Sequence, residues 1–289
     1  MKTFSSLLHL IIACIAIVAC TSCANQPKWN TAEGEVIKDL SYGEGPRNRY
    51  DLYLPANGKP KALMLFIHGG SWISGEKEDM AWAAKRYTDE GYITASINYT
   101  RLGGDELGCN IKQMAIGGYS AGAHLTMLYS TLYATTSPIP IKFQISWVGP
   151  SDFNLLFPTP PNFNIVGSAP ENESKIFYAN MNNFVYGISG KNITTDTTVE
   201  QINKLKCQVS PVDLVTPQTP PAVLAYGGQD RLVNAIHGEK MAQELDAAGV
   251  KQSLIIFPNS GHGLEADPEC TSRVQEVILE YCAEYFGNR

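Results

Sequence analysis

Between positions 62 and 67 the chain is apolar without a break, Ala-Leu-Met-Leu-Phe-Ile. Such a run is too short for a typical core helix and lacks the polar alternation of a half-exposed strand, so it reads as a strand buried on both faces. Further strands are read at 93–98, 113–117, 143–148, 221–226 and 253–257. Stretches with helical spacing separate them. Met80, Ala83, Ala84 and Tyr87 share one helix face before Gly91. A second helix is predicted over 121–131, and a third runs to Ala248 with Gly249 as its stop. Val274, Val277, Ile278 and Tyr281 give a final amphipathic helix. Two earlier strands are predicted at 36–41 and 50–54, the second closed by Pro55. Strands alternating with helices define an α/β architecture, a mostly parallel sheet covered by helices on both faces.

Two segments break this rhythm. From 151 to 212 no strand is evident, and the segment is rich in Pro, Asn and aromatic residues, among them Phe153, Phe157, Phe163, Phe177, Tyr178, Phe184 and Tyr186. An excursion this long inside a compact domain is usually functional, and it reads as a lid. Thr197 with Glu200 forms a capping box for a short helix inside it. The other break is a shortage. Only residues 100–112 connect the fourth strand to the fifth, near the lower limit for a parallel crossover. One face of the sheet beside the fifth strand is therefore expected to be thinly covered.

The N-terminal residues 1–19 are expected to lie outside the fold. Lys2 followed by an apolar run from Leu7 to Ala19 has the layout of a secretory signal. Ile17-Val18-Ala19-Cys20 resembles a bacterial lipoprotein processing site, which would leave the lipid on Cys20. The alternative is an ordinary signal cut near Ala24. On the first reading residues 20–33 form a tether and 34–289 the domain. The protein would then be exported and lipid-anchored to a bacterial membrane, in the periplasm or at the cell surface. With 22 basic against 28 acidic residues and a net charge of −6, nucleic acid and anionic membrane surfaces are poor partners. Membrane contact is expected only through the N-terminal lipid. Cys20 and Cys23 match a metal or redox pair, but no second pair follows. Cys109, Cys207, Cys270 and Cys282 are expected as unpaired thiols. Cys270 and Cys282 flank or share the last helix, where twelve residues span about 18 Å, too far for a disulfide.

Gly118-Tyr119-Ser120-Ala121-Gly122 is a G-x-S-x-G motif. The pattern alone is weak; its place, with a strand running into it and a helix leaving it, is specific. A strand-to-helix turn strains the backbone at the serine and exposes its oxygen, with a helix N-terminus behind it that favours negative charge. A serine hydroxyl needs a base. His262, in the loop Asn259-Ser-Gly-His-Gly263 after a strand, is the candidate. His124, one turn beyond Ser120, and His237, on a face with Met241 and Leu245, read as core residues; His68 belongs to a glycine-rich turn. The base needs an acid to hold its tautomer. Asp230, in Gly227-Gly-Gln-Asp-Arg231, gives the chain order Ser, Asp, His; Asp152, after the preceding strand, is the alternative acid or else a cap on the following segment. His68-Gly69-Gly70-Ser71-Trp72 follows the third strand. Backbone N–H groups of Gly69, Gly70 and Ser71, with that of Ala121, are the candidate oxyanion hole.

On these motifs, with Asp51-Leu-Tyr-Leu-Pro55 and Ser210-Pro-Val-Asp213, the chain from about Tyr50 onward resembles the α/β-hydrolase superfamily, in its esterase branch carrying His-Gly-Gly-x-Trp. It is similar to bacterial carboxylesterases, to feruloyl and acetyl esterases of polysaccharide breakdown, and to kynurenine formamidases. The resemblance implies hydrolysis of a small carboxylic ester, with an acylated carbohydrate as one candidate substrate, through an acyl-enzyme and without metal or cofactor. Two alternatives stay open at this stage: a formamidase or peptidase using the same triad, and a binding protein that keeps the fold without turnover.

Overall fold

The computed structural model describes residues 34–43, 46–56, 62–70, 75–98, 113–158 and 198–287. The chain begins with strands β1 (Glu35–Ser41), β2 (Arg49–Leu54) and β3 (Leu63–Ile67), followed by a 3₁₀ turn at Lys77–Met80 and helix α1 (Ala81–Asp89). Strands β4 (Ile93–Ile97) and β5 (Met114–Tyr119) come next, then helix α2 (Ala121–Leu132), strand β6 (Ile141–Trp147) and the short helix α3 (Phe153–Leu156). After α4 (Val199–Cys207) and a 3₁₀ turn at Pro211–Leu214, the chain forms β7 (Ala222–Gly227), α5 (Ile236–Ala247), β8 (Gln252–Phe257) and α6 (Pro268–Phe286).

The eight strands form one sheet in the order β1-β2-β4-β3-β5-β6-β7-β8. The first two pair antiparallel, and β2 meets β4 antiparallel; from β4 through β8 every pairing is parallel. The predicted α/β-hydrolase fold, a mostly parallel sheet with helices on both faces, is what the chain adopts. Strands β3, β4 and β7 are buried at every position; β3 and β7 are apolar throughout, and β4 buries Thr94 and Ser96 along with its apolar residues.

The core lies on both faces. On one, Phe66, Tyr87, Phe143, Trp147, Val274, Ile278 and Tyr281 bring α1 and α6 against the strands. On the other, Leu65, Ile67, Ile97 and Ile116 pack with Leu125 and Tyr129 of α2 and with Tyr42 and Tyr50. That second face corrects the expectation of thin cover beside the fifth strand, because Ile97 and Ile116 are fully buried. The connection 100–112 itself lies outside the described residues. So do the N-terminal segment with Cys20, most of the predicted lid, and Ser71, Trp72 and Cys109.

In the 151–212 segment Asp152 caps α3, one of the two readings open for it, while α4 starts one residue later than the predicted box. Thr198 is the N-cap, its hydroxyl accepting from Gln201 N while the Gln201 side chain accepts from Thr198 N. Cys270 and Cys282 share α6, and no disulfide joins Cys207, Cys270 or Cys282.

Candidate active site

The site is assembled at the C-terminal ends of the parallel strands, where open α/β sheets place their ligands. Ser120 links β5 to α2. Its φ of 53° and ψ of −119° lie in a region a serine rarely occupies. The turn is held there by Ser120 N donating to Trp147 O at 2.8 Å, and His124 N donates to Ser120 O at 3.0 Å to start the helix. The small neighbours are obligatory. A Cβ on Gly122 would fall 2.1 Å from the carbonyl oxygen of Ile67, so only glycine lets α2 leave β5 so close to β3.

His262 stands in the loop between β8 and α6. Its Nε2 is 3.0 Å from Ser120 Oγ and its Nδ1 is 2.7 Å from Asp230 Oδ2. With Asp230 ionised, Nδ1–H donates to the carboxylate, and Nε2 is left to accept from the serine hydroxyl. The ring is steadied by Tyr119, which packs edge-on at 5.9 Å and donates its hydroxyl to His262 O. Burial pushes the Tyr119 phenol up, keeping it a donor.

Asp230 is buried behind the histidine. Its Oδ1 accepts from Leu232 N at 2.8 Å and Val233 N at 2.9 Å, leaving Oδ2 for His262. Burial pushes this carboxyl up, but the bonds from His262, Val233 and Leu232 outweigh it and hold it below the usual carboxylate range. Asp152 is committed elsewhere. Its Oδ1 caps α3 at Asn154 N and Leu155 N, and its Oδ2 is 2.6 Å from Lys240 Nζ.

The other histidines are structural. His124 is fully buried, with Nε2 2.8 Å from Val209 O, and burial lowers it to about 4 despite that bond. His237 accepts at Nδ1 from Ser151 N and Asp152 N, both at 3.3 Å, which ties α5 to the segment after β6; burial lowers it to about 4 as well. His68 is buried beneath the glycine turn, its Nδ1 2.7 Å from Gly69 O.

Gly69 and Gly70 line the same cavity as Ser120 and His262, and Ala121 opens α2 beside Ser120. Gly70 has a φ of 110°, open to glycine but not to ordinary side chains. Ser71 lies outside the described residues. Below this turn, Arg47 bonds to Gly75 O at 2.6 Å and pairs with Glu76, Glu76 accepts from Asn98 Nδ2 at 2.8 Å, and Asn98 Oδ1 accepts from Lys77 N at 2.6 Å. The motif reading missed this bracing, and no spacing rule would have found it.

A cavity of about 640 Å³ opens from Ser120 between α1 and α6. Its walls are mainly apolar: Met80, Tyr87, Trp147, Phe257, Leu264 and Val274, with Asp79, Thr271 and Gln275 among its polar lining. Trp82, half exposed at 49%, meets Trp147 edge-on at 5.4 Å and presents a ring to the opening.

Set beside known proteins, the chain belongs to the α/β-hydrolases: the family described as alpha/beta hydrolase fold matches residues 93–266, and a further family, BD-FAE, matches residues 50–106. Among curated relatives, a probable isoprenylcysteine alpha-carbonyl methylesterase of Oryza sativa subsp. japonica is 26% identical over 79% of this chain and 58% of its own length. Esterase LipC of Mycobacterium tuberculosis is 23% identical over 78% of this chain and 59% of its own. This chain thus spans little more than half of these relatives. A solved carbohydrate esterase from gut microbiota, in truncated form, superposes with a TM-score of 0.63 at 16% identity, covering 89% of this chain and 98% of that one. At that identity the likeness concerns the fold.

Proposed function

We propose that the protein is a serine hydrolase that cleaves a small carboxylic ester through an acyl-enzyme. The observation that carries this is the bridging histidine, His262, within hydrogen-bond reach of Ser120 on one side and Asp230 on the other. The esterase relatives and the family membership support ester hydrolysis as the reaction class.

In this reading His262 Nε2 takes the Ser120 proton as Oγ attacks the ester carbonyl carbon. Asp230 stabilises the imidazolium and is not itself protonated. The tetrahedral oxyanion faces the backbone N–H groups at Gly69, Gly70 and Ala121, with Ser71 as the further donor expected from the motif. As the bond from carbon to the alcohol oxygen breaks, His262 returns the proton to that oxygen and the alcohol departs. Water, deprotonated by His262, then attacks the acyl carbon, the acid leaves, and Ser120 regains its proton.

The substrate we propose is a short or flat acyl group, acetyl or aromatic, on a carbohydrate. The aromatic walls around Trp147 and the exposed ring of Trp82 support a flat ring or a sugar face better than a long flexible chain. The apolar run before Cys20 supports export and a lipid tether, which would put polymer-bound esters within reach. Cys20→Ala should release soluble protein; unchanged membrane fractionation of that variant would reject the tether.

A fluorophosphonate probe with a chromogenic ester panel tests the activity. The wild type should label once, at Ser120, and Ser120→Ala should neither label nor turn over while folding normally. A wild type that does not label is a binding protein; one that labels and cleaves only amides or formamides is the other hydrolase class. A steady rise of kcat/KM from acetyl to octanoyl esters would show a deep acyl pocket and sink the substrate assignment.

A further inference from the structure

Asp267 immediately precedes Pro268, so its sequence position is that of an ordinary helix cap for α6. Its side chain does not cap. It makes no hydrogen bond to the helix it precedes, and both oxygens turn back onto the loop that carries His262. Oδ2 accepts from Ser260 Oγ at 2.6 Å and Asn259 N at 3.0 Å, and Oδ1 accepts from Asn259 Nδ2 at 2.8 Å. Ser260 Oγ in turn accepts from Ala266 N at 3.0 Å. Asp267 and Ser260 are both fully buried. The bonds therefore close the loop from 259 to 267 into a small ring with His262 at its middle.

We infer that Asp267 is a positioning residue, setting the reach of His262 to Ser120 by bracing both ends of the histidine loop. This rests on the hydrolase reading above and extends it beyond the triad. The loop leaves β8 at Phe257 and re-enters order at Pro268, so ten residues must hold an imidazole to hydrogen-bond tolerance from two partners. A displacement of about 1 Å at such a site costs about a hundredfold in rate. Tyr119 fixes the loop at His262 O and Gln229 N holds it at Ser260 O at 2.9 Å; Asp267 adds the bonds that tie the segment before His262 to the start of α6. An ionised carboxylate suits the task. Burial pushes Asp267 up, but the bonds from Ser260 and Asn259 prevail and hold it below the usual range.

The test compares wild type with Asp267→Asn, which keeps the shape but replaces one acceptor by a donor, and with Ser260→Ala. Total fluorophosphonate labelling at long times counts folded sites that carry a competent Ser120. Rates are then expressed per labelled site. The expected result for Asp267→Asn is a fall in kcat of about 10- to 100-fold per labelled site, with KM within about twofold. The low-field proton resonance of His262 Nδ1 should move or broaden as its bond to Asp230 loosens. Ser260→Ala should show a smaller change in the same sense. Wild-type kcat per labelled site in Asp267→Asn, or a loss that merely follows the labelled fraction, overturns the proposal. If Asp267→Asn does not fold, unchanged kcat in Ser260→Ala overturns it instead. Should the wild type neither label nor hydrolyse any ester, the hydrolase reading fails. The resonance of His262 in the two variants then decides the positioning role alone, an unmoved signal counting against it.

Discussion

Two carboxylates stand just beyond neighbouring strands, Asp152 after β6 and Asp230 after β7, and their surroundings divide the work. Asp152 spends one oxygen on a helix start and the other on Lys240; Asp230 spends one on its own turn and keeps the other for His262. Asp230→Asn should therefore lower kcat on the order of 10⁴-fold, because an amide there favours the wrong tautomer of the base. Asp152→Asn should cost stability and leave kcat within a few-fold. Steady-state kinetics on both variants decides, and a larger loss at Asp152 would transfer the acid role to it. At this scale Ser120, His262 and Asp230 were legible because each follows a strand in the order this fold demands. Asp267 was not. An aspartate before a proline at a helix start carries the same letters whether it caps its helix or braces the preceding loop, and only the direction of the side chain distinguishes the two.

The elements were legible where their pattern was unambiguous, as in the unbroken apolar runs of β3 and β7. The start of α4 was misplaced by one residue because Thr197-Thr198-Val-Glu-Gln contains two overlapping capping boxes, and only packing selects the second. The 3₁₀ turn at Lys77–Met80 carries no period of its own, yet Lys77 is buried there against Asp51 at 2.9 Å and Asp39 at 3.0 Å. Burial pulls that amine down, and its carboxylate partners raise it well above its ordinary value. Helix α2 crosses β3 closely at Gly122. Gly122→Ala should destabilise the fold by about 3 kcal/mol or more, since a methyl would meet two backbone carbonyls that cannot rotate away. Urea unfolding measures it, and a change below about 1 kcal/mol would mean that the turn relaxes freely.

At the scale of the molecule, stability should depend on pH through its buried histidines. His124 and His237 are held near 4, far below the unfolded value near 6.5, so the unfolded chain binds their protons first. Their contribution is whole above about pH 6.5 and is lost as pH falls toward 4, at about 1.4 kcal/mol per pH unit for each residue. Between pH 7 and pH 5 the two together should remove about 4 kcal/mol, readable as a falling urea midpoint. A flat midpoint over that interval contradicts the buried, neutral assignment. Below about pH 4 the depressed carboxyls of Asp230 and Asp267 add losses of the same sign.

The order of the strands also sets an order of failure. Ser120 follows β5, flanked on both sides by β3 and β6, whereas His262 follows β8, which among the described residues ends the sheet and pairs with β7 alone. Outer strands open at lower free energy than inner ones. Amides at 253–256 should accordingly exchange faster than those at 115–118. Under mild heat His262, the proposed base, would be displaced while Ser120, the proposed nucleophile, is still in place, so early inactivation is expected as a dislocation that cooling can reverse. Equal exchange in the two strands would mean that the site comes apart all at once.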